Sequence, residues 1–246
     1  MIIDDLIILG RAVPEPIKDG RITICLGGYS PTHGFIRIYP TKANMNINRW
    51  AIISVEVEKD KRDTRKESWK ITGSKENWDY LQHCINKVGN WPKKQRLPLI
   101  YSLATDCIST INQNRNSLGI IKPNIIRTYF RNNPKFGQAY QPLFPSLQEN
   151  TMVKRDFLYE PRIEYRCSSN CQTKGPHDQQ VLEWGFFKWF EKHPNRHEQV
   201  WENAMLDRQD YTTYFFVGNQ ARYRTSYLII SILRFKKQPI QEAIIF

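Results

Sequence analysis

Apolar and polar positions alternate through the first sixty residues. From Trp50 to Glu58, Ile53, Val55 and Val57 fall on one face and Ser54, Glu56 and Glu58 on the other. A period of two predicts a strand with one side in a core and the other near water. Gly34 to Tyr39 alternates in the same way, while Ile2 to Leu9 and Arg21 to Leu26 are apolar enough for two further strands. Gly27-Gly28 and Ser30-Pro31 are read as the turns between them.

The pattern changes after the charged turn from Lys59 to Lys70. Ser74 suits a helix N-cap, Trp78, Leu81, Cys84, Ile85 and Val88 share one helical face, and Gly89 stops the helix. A second helix is expected from Leu97 to Ile111, and a proline-bearing loop from Phe136 to Asn150. Arg162 to Cys167 reads as a strand. Asp178 is expected to cap a helix reaching Lys192, whose aromatics surround its whole circumference and so predict burial on several sides. Another helix spans Glu198 to Leu206, and Thr212 to Val217 pairs with Ser226 to Phe235 after Gly218-Asn219 opens their connection. The sum is an α+β chain: a β-rich module over 1–72, then an α+β domain over 73–246 with a helical middle, a cysteine loop and C-terminal antiparallel strands.

Composition narrows the class. At 40% hydrophobic residues over 246 positions the chain can bury a substantial core. No apolar run is long enough to span a bilayer, and MIIDDLIILG lacks the basic start of a signal peptide. Five scattered cysteines do not read as a secreted disulfide framework, so a reducing cytoplasm is expected. The net charge of +12 is unevenly placed: residues 1–60 balance at zero, whereas 61–135 hold fifteen Lys/Arg against five Asp/Glu. Concentrated basic charge predicts contact with a nucleic-acid backbone, the candidates being Lys61, Arg62, Arg65, Lys66, Lys70, Lys93, Lys94 and Arg96. A solvated basic face or an acidic protein partner would show the same charge.

Cys167, Cys171 and His177 lie within one short loop and offer three ligands of the kind zinc takes. A structural site needs a fourth, with Cys84, Cys107, His193, His197 and Asp178 as candidates. Two ordinary thiols beside a loop histidine would give the same pattern. Asp63, Glu67 and Lys70 are the nearest approach to a nuclease metal site, but Glu67 and Lys70 are spaced three apart rather than two. The glycine turns match no phosphate loop or dinucleotide fingerprint.

Several blocks resemble a group of bacterial proteins of unassigned activity. They are Gly10-Arg11 with Pro14-Glu15, Gly34-Phe35-Ile36-Arg37-Ile38-Tyr39-Pro40, Asp63-Thr64-Arg65 before Glu67-Ser68-Trp69, and Ser117-Leu118-Gly119-Ile120 before Lys122-Pro123. The cysteine loop before Glu183-Trp184 and Phe216-Val217-Gly218-Asn219 complete the pattern. This resemblance implies no catalytic residue; it implies an accessory subunit in bacterial defence or a mobile-element system. The lead-in Asp19-Gly20-Arg21 also resembles the start of PUA-like and ASCH domains, small barrels that bind RNA or modified bases.

The expectation is therefore a non-catalytic nucleic-acid-binding protein stapled by a structural zinc ion, able to join other protein subunits and with no membrane role. A metal-dependent nuclease and a protein-docking scaffold are the alternatives.

Overall fold

The computed structural model describes residues 1–17, 19–74, 76–138, 151–167 and 171–237. The first half contains β1 (Ile2–Arg11), β2 (Glu15–Pro16), β3 (Ile22–Ser30), β4 (Gly34–Thr41), β5 (Ala51–Glu58), β6 (Ser68–Ile71) and β7 (Ile85–Asn90). Strands β1, β3, β4, β6 and β5 pair in that order, and β5 pairs back onto β1, so five strands close into a barrel-like sheet. Closure leaves none of the five with a free edge. All four strands expected before residue 60 are present.

Strand β1 is apolar on both faces, and the structure explains why. Its register shifts between Ile3 and Leu6, so Ile3, Leu6 and Ile8 fill the barrel while Ile7 and Leu9 face outward into a second core. That second core joins the halves, packing Ile7, Leu9 and Trp50 against Leu118, Ile120, Tyr214 and Phe216. Gly27-Gly28 is not a turn but lies inside β3. A Cβ on Gly27 would stand 2.6 Å from the Phe216 ring, so the missing side chain lets the second half seat directly on the barrel.

The remaining elements are α1 (Lys93–Leu103), β8 (Ala104–Thr105), α2 (Ile108–Gln113), β9 (Leu118–Ile121), β10 (Asn124–Asn132), β11 (Tyr159–Arg166), β12 (His177–Gln180), α3 (Trp184–Lys192), α4 (Gln199–Ala204), β13 (Tyr211–Asn219) and β14 (Tyr227–Lys236). They form a three-stranded sheet, β10-β11-β12, and a four-stranded one, β14-β13-β9-β8. A bridge between Val181 and Ile229 joins the two sheets. The whole is mixed α+β and rich in strands, and the expected helical middle is reduced to short pieces.

Three helix expectations are corrected. The segment after Ser74 is a 3-10 helix, Trp78–Cys84, followed by β7; Trp78, Leu81 and Ile85 plug the barrel core rather than lining a helix face. The helix expected over Leu97 to Ile111 breaks at Ala104–Thr105, which pairs parallel with β9. Asp178 lies in β12, and α3 starts only at Trp184, after Glu183, whose carboxylate accepts the Ile232 N–H (2.7 Å). The helix itself is buried on several sides, through Trp184, Phe186, Phe187 and Phe190. The expected loop from Phe136 to Asn150 lies outside the described residues from position 139 onward. No helix among the described residues is long and apolar enough to cross a membrane.

Candidate functional site

Hairpin geometry assembles the cysteine loop. Tyr165 pairs with His177 across β11 and β12, so Cys167 just past one strand and His177 opening the other meet at the hairpin neck. Cys171 folds back between them, its Sγ 3.3 Å from His177 Nε2. Ligand atoms of all three residues lie within 4.8 Å of one another, so the cluster can hold a metal ion. Beneath it, the fully buried Tyr165 donates its hydroxyl to Gln179 (2.8 Å) and sets its ring 5.3 Å from the His177 ring. The thiols differ sharply. Burial pushes Cys167 up to about 12. For Cys171 burial acts in the same sense, but hydrogen bonds from Thr173, Ser109 and His177 outweigh it and bring the thiol down to about 6.

A second polar cluster lies between the two halves. Arg37 on β4 is buried, 2% exposed, and among the described residues no carboxylate touches its guanidinium. It donates instead to the Ser68 hydroxyl (3.3 Å) on the barrel, to the hydroxyl (2.9 Å) and carbonyl (3.0 Å) of Ser117, and to the Asn219 carbonyl (3.3 Å). Arg65 clasps Asp63 with paired N–H groups and sends its remaining arm to the same Asn219 carbonyl (2.6 Å). Burial opposes ionisation of Asp63, but the Arg65 hydrogen bonds prevail and hold it at about 2. Glu67 accepts the Ser117 N–H (2.9 Å), and its other oxygen has no partner. Four of the sequence blocks, around Arg37, Arg65, Ser117 and Asn219, thus meet at one seam.

A cavity of about 310 Å³ opens beside this seam, with Arg37, Arg65, Cys25 and Tyr39 on its polar side and Leu182 and Ile230 on its apolar side. Glu15 and Lys154 also line it. Glu15 still meets water, yet the crowding protein strips its hydration and pushes its carboxyl up, and burial pushes the Lys154 ammonium down.

The eight basic candidates do not form one patch. Lys61, Arg62 and Lys66 are exposed in the loop after β5. Arg65, in the same loop, turns inward, and Lys70 pairs with Glu58 (2.9 Å). Lys93 and Lys94 open α1, and Arg96 packs over the Trp50 ring at 5.1 Å. Because Asn90 of β7 pairs with Ala51 at the start of β5, these three follow the end of that strand opposite to the 59–67 loop. Periodicity reading missed what does join that loop. Arg224, from the connection between β13 and β14, donates to the Thr64 hydroxyl (2.8 Å). That connection also presents Arg222 over the 54% exposed Tyr223. An aromatic residue between two arginines was the available signal.

Asp63, Glu67 and Lys70 do not converge. Asp63 belongs to Arg65, Glu67 to Ser117 and Lys70 to Glu58.

Comparison with protein families divides the chain near residue 100. Residues 3–99 match a family described as Domain of unknown function (DUF8758), and residues 106–245 match Domain of unknown function (DUF8757). Neither description is that of a PUA-like or ASCH domain. No curated protein matches the chain. With the second match covering more than half of its length, the protein belongs to the DUF8757 family and carries a DUF8758 unit ahead of that domain.

Proposed function

We propose that the protein binds nucleic acid without cleaving it, along a basic rim contributed by both family domains. The observation that carries this reading is the meeting of Lys61, Arg62 and Lys66 with Arg222, Tyr223 and Arg224 where Arg224 bonds to Thr64. Exposed cations supply phosphate contacts, and an exposed tyrosine among them supplies a stacking face for an unpaired base. The cavity of about 310 Å³ at the foot of this rim is of a size for one small ligand such as a single base, with the Tyr39 and Thr23 hydroxyls, 3.0 Å apart, as polar groups. The likeness of Asp19-Gly20-Arg21 to a PUA-like lead-in points the same way. The nuclease alternative draws no support from Asp63, Glu67 and Lys70, each committed to its own partner.

The cysteine loop takes zinc in a structural role in this reading. Two thiolates and an imidazole are ligands of the right softness, and the loop carries the register of β11 and β12. Stripping the metal with a chelator then lowers the melting temperature and loosens residues 159–180.

The test of the rim is the salt dependence of binding to labelled single-stranded DNA and RNA. Reversing Lys61, Arg62, Lys66, Arg222 and Arg224 to Glu lowers affinity and flattens the log–log salt slope by about one unit for each phosphate left without its cation. A folded variant with an unchanged slope rejects the assignment. Tyr223→Ala separates stacking from charge: affinity falls by about 1–3 kcal/mol while the slope stays fixed.

A further inference from the structure

Among the described residues the three-residue cluster shows no fourth ligand, and five residues compete for that place by sequence. The structure removes four of them. Cys84 packs against the barrel core, in the other half of the molecule. His193 lies against Trp189, ring centroids 4.1 Å apart, and His197 stacks on Tyr159 at 4.2 Å, both at the aromatic core around α3 and α4. Asp178 is next to His177 in β12, so its side chain leaves the opposite face of the sheet. There it accepts from Arg162 (2.9 Å) and Tyr129 (2.7 Å).

Cys107 remains, and its surroundings point toward the cluster. It is 2% exposed and immediately precedes α2. The residues that follow it both reach the cluster. The Ile108 amide donates to Cys167, and the Ser109 hydroxyl lies 3.6 Å from Cys171 Sγ and accepts the Gln172 N–H at 3.3 Å. The same Ser109 hydroxyl lies 2.7 Å from Cys107 Sγ. One hydroxyl therefore separates the fourth thiol from the cluster.

We infer that Cys107 completes a Cys3His metal centre with Cys167, Cys171 and His177, tying the start of α2 to the neck of the β11–β12 hairpin. Thiolates bound at about 2.3 Å to a tetrahedral ion stand about 3.8 Å apart. Through Ser109, the Cys107 and Cys171 sulfurs are at most about 6.3 Å apart, from legs of 2.7 and 3.6 Å. The shortfall of about 2.5 Å is within the sweep of one χ1 rotation. Ser109 then swings aside and donates to a bound thiolate, as groups surrounding a metal's own ligands commonly do. The cation must be one that accepts three thiolates and an imidazole in a tetrahedron, which describes zinc(II) and its spectroscopic substitute cobalt(II). Binding displaces the protons of those thiols that are still protonated, so uptake of the ion releases acid.

The inference rests on the cysteine loop being a metal centre, and the experiment separates the two. X-ray absorption on the zinc-loaded full-length protein counts sulfur ligands directly: three sulfurs and one nitrogen are expected. Stoichiometric zinc with two sulfurs overturns the role of Cys107 and leaves the loop site standing. No stoichiometric zinc(II) or cobalt(II) overturns both. In a cobalt(II) titration, Cys107→Ser should lose about a third of the thiolate-to-metal absorption, one ligand of three, and weaken binding at least about tenfold. Cys84→Ser serves as the control and should change neither. If Cys107→Ser does not fold, the sulfur count on the native protein still decides the matter.

Discussion

The two halves of the molecule solve the problem of strand edges differently. In the N-terminal half five strands close on themselves, and their interior is filled from one continuous set of side chains, from Ile3 through Ile38 and Val57 to Ile85. The C-terminal half is built from two open sheets of three and four strands, which must lean on helices, on each other and on the barrel. A closed sheet supplies its own boundary, whereas an open one borrows it. The second half accordingly holds the dense aromatic packing around α3 and α4 and the cysteine hairpin, and meets the barrel at the seam with buried Arg37.

The most damaging way to break this contrast is to remove the ring that both halves share. Phe216 is fully buried, stacks 6.0 Å from Phe35 on the barrel and covers Gly27. Phe216→Ala should cost about 3–5 kcal/mol by urea denaturation. Hydrogen exchange should show the C-terminal sheets losing protection before β5 does; equal loss in both would mean that the barrel is no more self-sufficient than its neighbour.

Arg37→Ala removes a charged donor serving four acceptors and should cost about 3 kcal/mol. The loss should concentrate in amides around Ser117 and Asn219. A variant as stable as the native chain would show that the seam adds nothing to the apolar packing.

A smaller effect comes from Asp63, whose carboxylate is held at about 2 against an ordinary value of 3.8. A lowered folded value means stabilisation that is complete above about pH 4 and disappears as pH falls through about 2, worth about 2 kcal/mol. The gap in urea midpoint between native protein and Asp63→Asn should therefore shrink as pH drops from about 5 toward 2. A gap that is constant with pH would detach the effect from the Arg65 ion pair.

The mildest change, Tyr165→Phe, deletes one buried hydrogen bond to Gln179 and should cost about 1 kcal/mol. Its effect on exchange should stay within β11 and β12. Spread into the barrel would argue that the hairpin and the barrel form one cooperative unit.

What could be read from sequence follows the same division. Of the four strands expected before residue 60, Gly34–Tyr39 and Trp50–Glu58 were legible from alternation, whereas Ile2–Leu9 and Arg21–Leu26, buried on both faces, were legible as apolar runs. The Thr212–Val217 and Ser226–Phe235 pair was legible from its β-branched and aromatic runs around Gly218-Asn219. Trp78, Leu81 and Ile85 misled because spacings of three and four suit a helix face as well as a 3-10 helix feeding a strand, and only the barrel interior decides between them. Asp178 looked like a cap because an isolated acid before an aromatic run has that signature; its real partners, Arg162 and Tyr129, are sixteen and forty-nine residues distant. The cysteine loop was visible because Cys167, Cys171 and His177 are close in sequence. The Arg37 seam was not, since its acceptors lie at Ser68, Ser117 and Asn219, and no local spacing encodes such a meeting. Along the chain these residues stand in separate blocks, and only folding gives a reason for their company.

That seam bears on how the two family domains can be inherited. A DUF8758 unit moved onto an unrelated partner would carry Arg37 with it and leave the acceptors at Ser117 and Asn219 behind, a buried cation with most of its solvation gone. A DUF8757 unit moved alone would keep two carbonyls shaped around a missing charge. Recombination between these two domains is therefore penalised at the level of a single guanidinium.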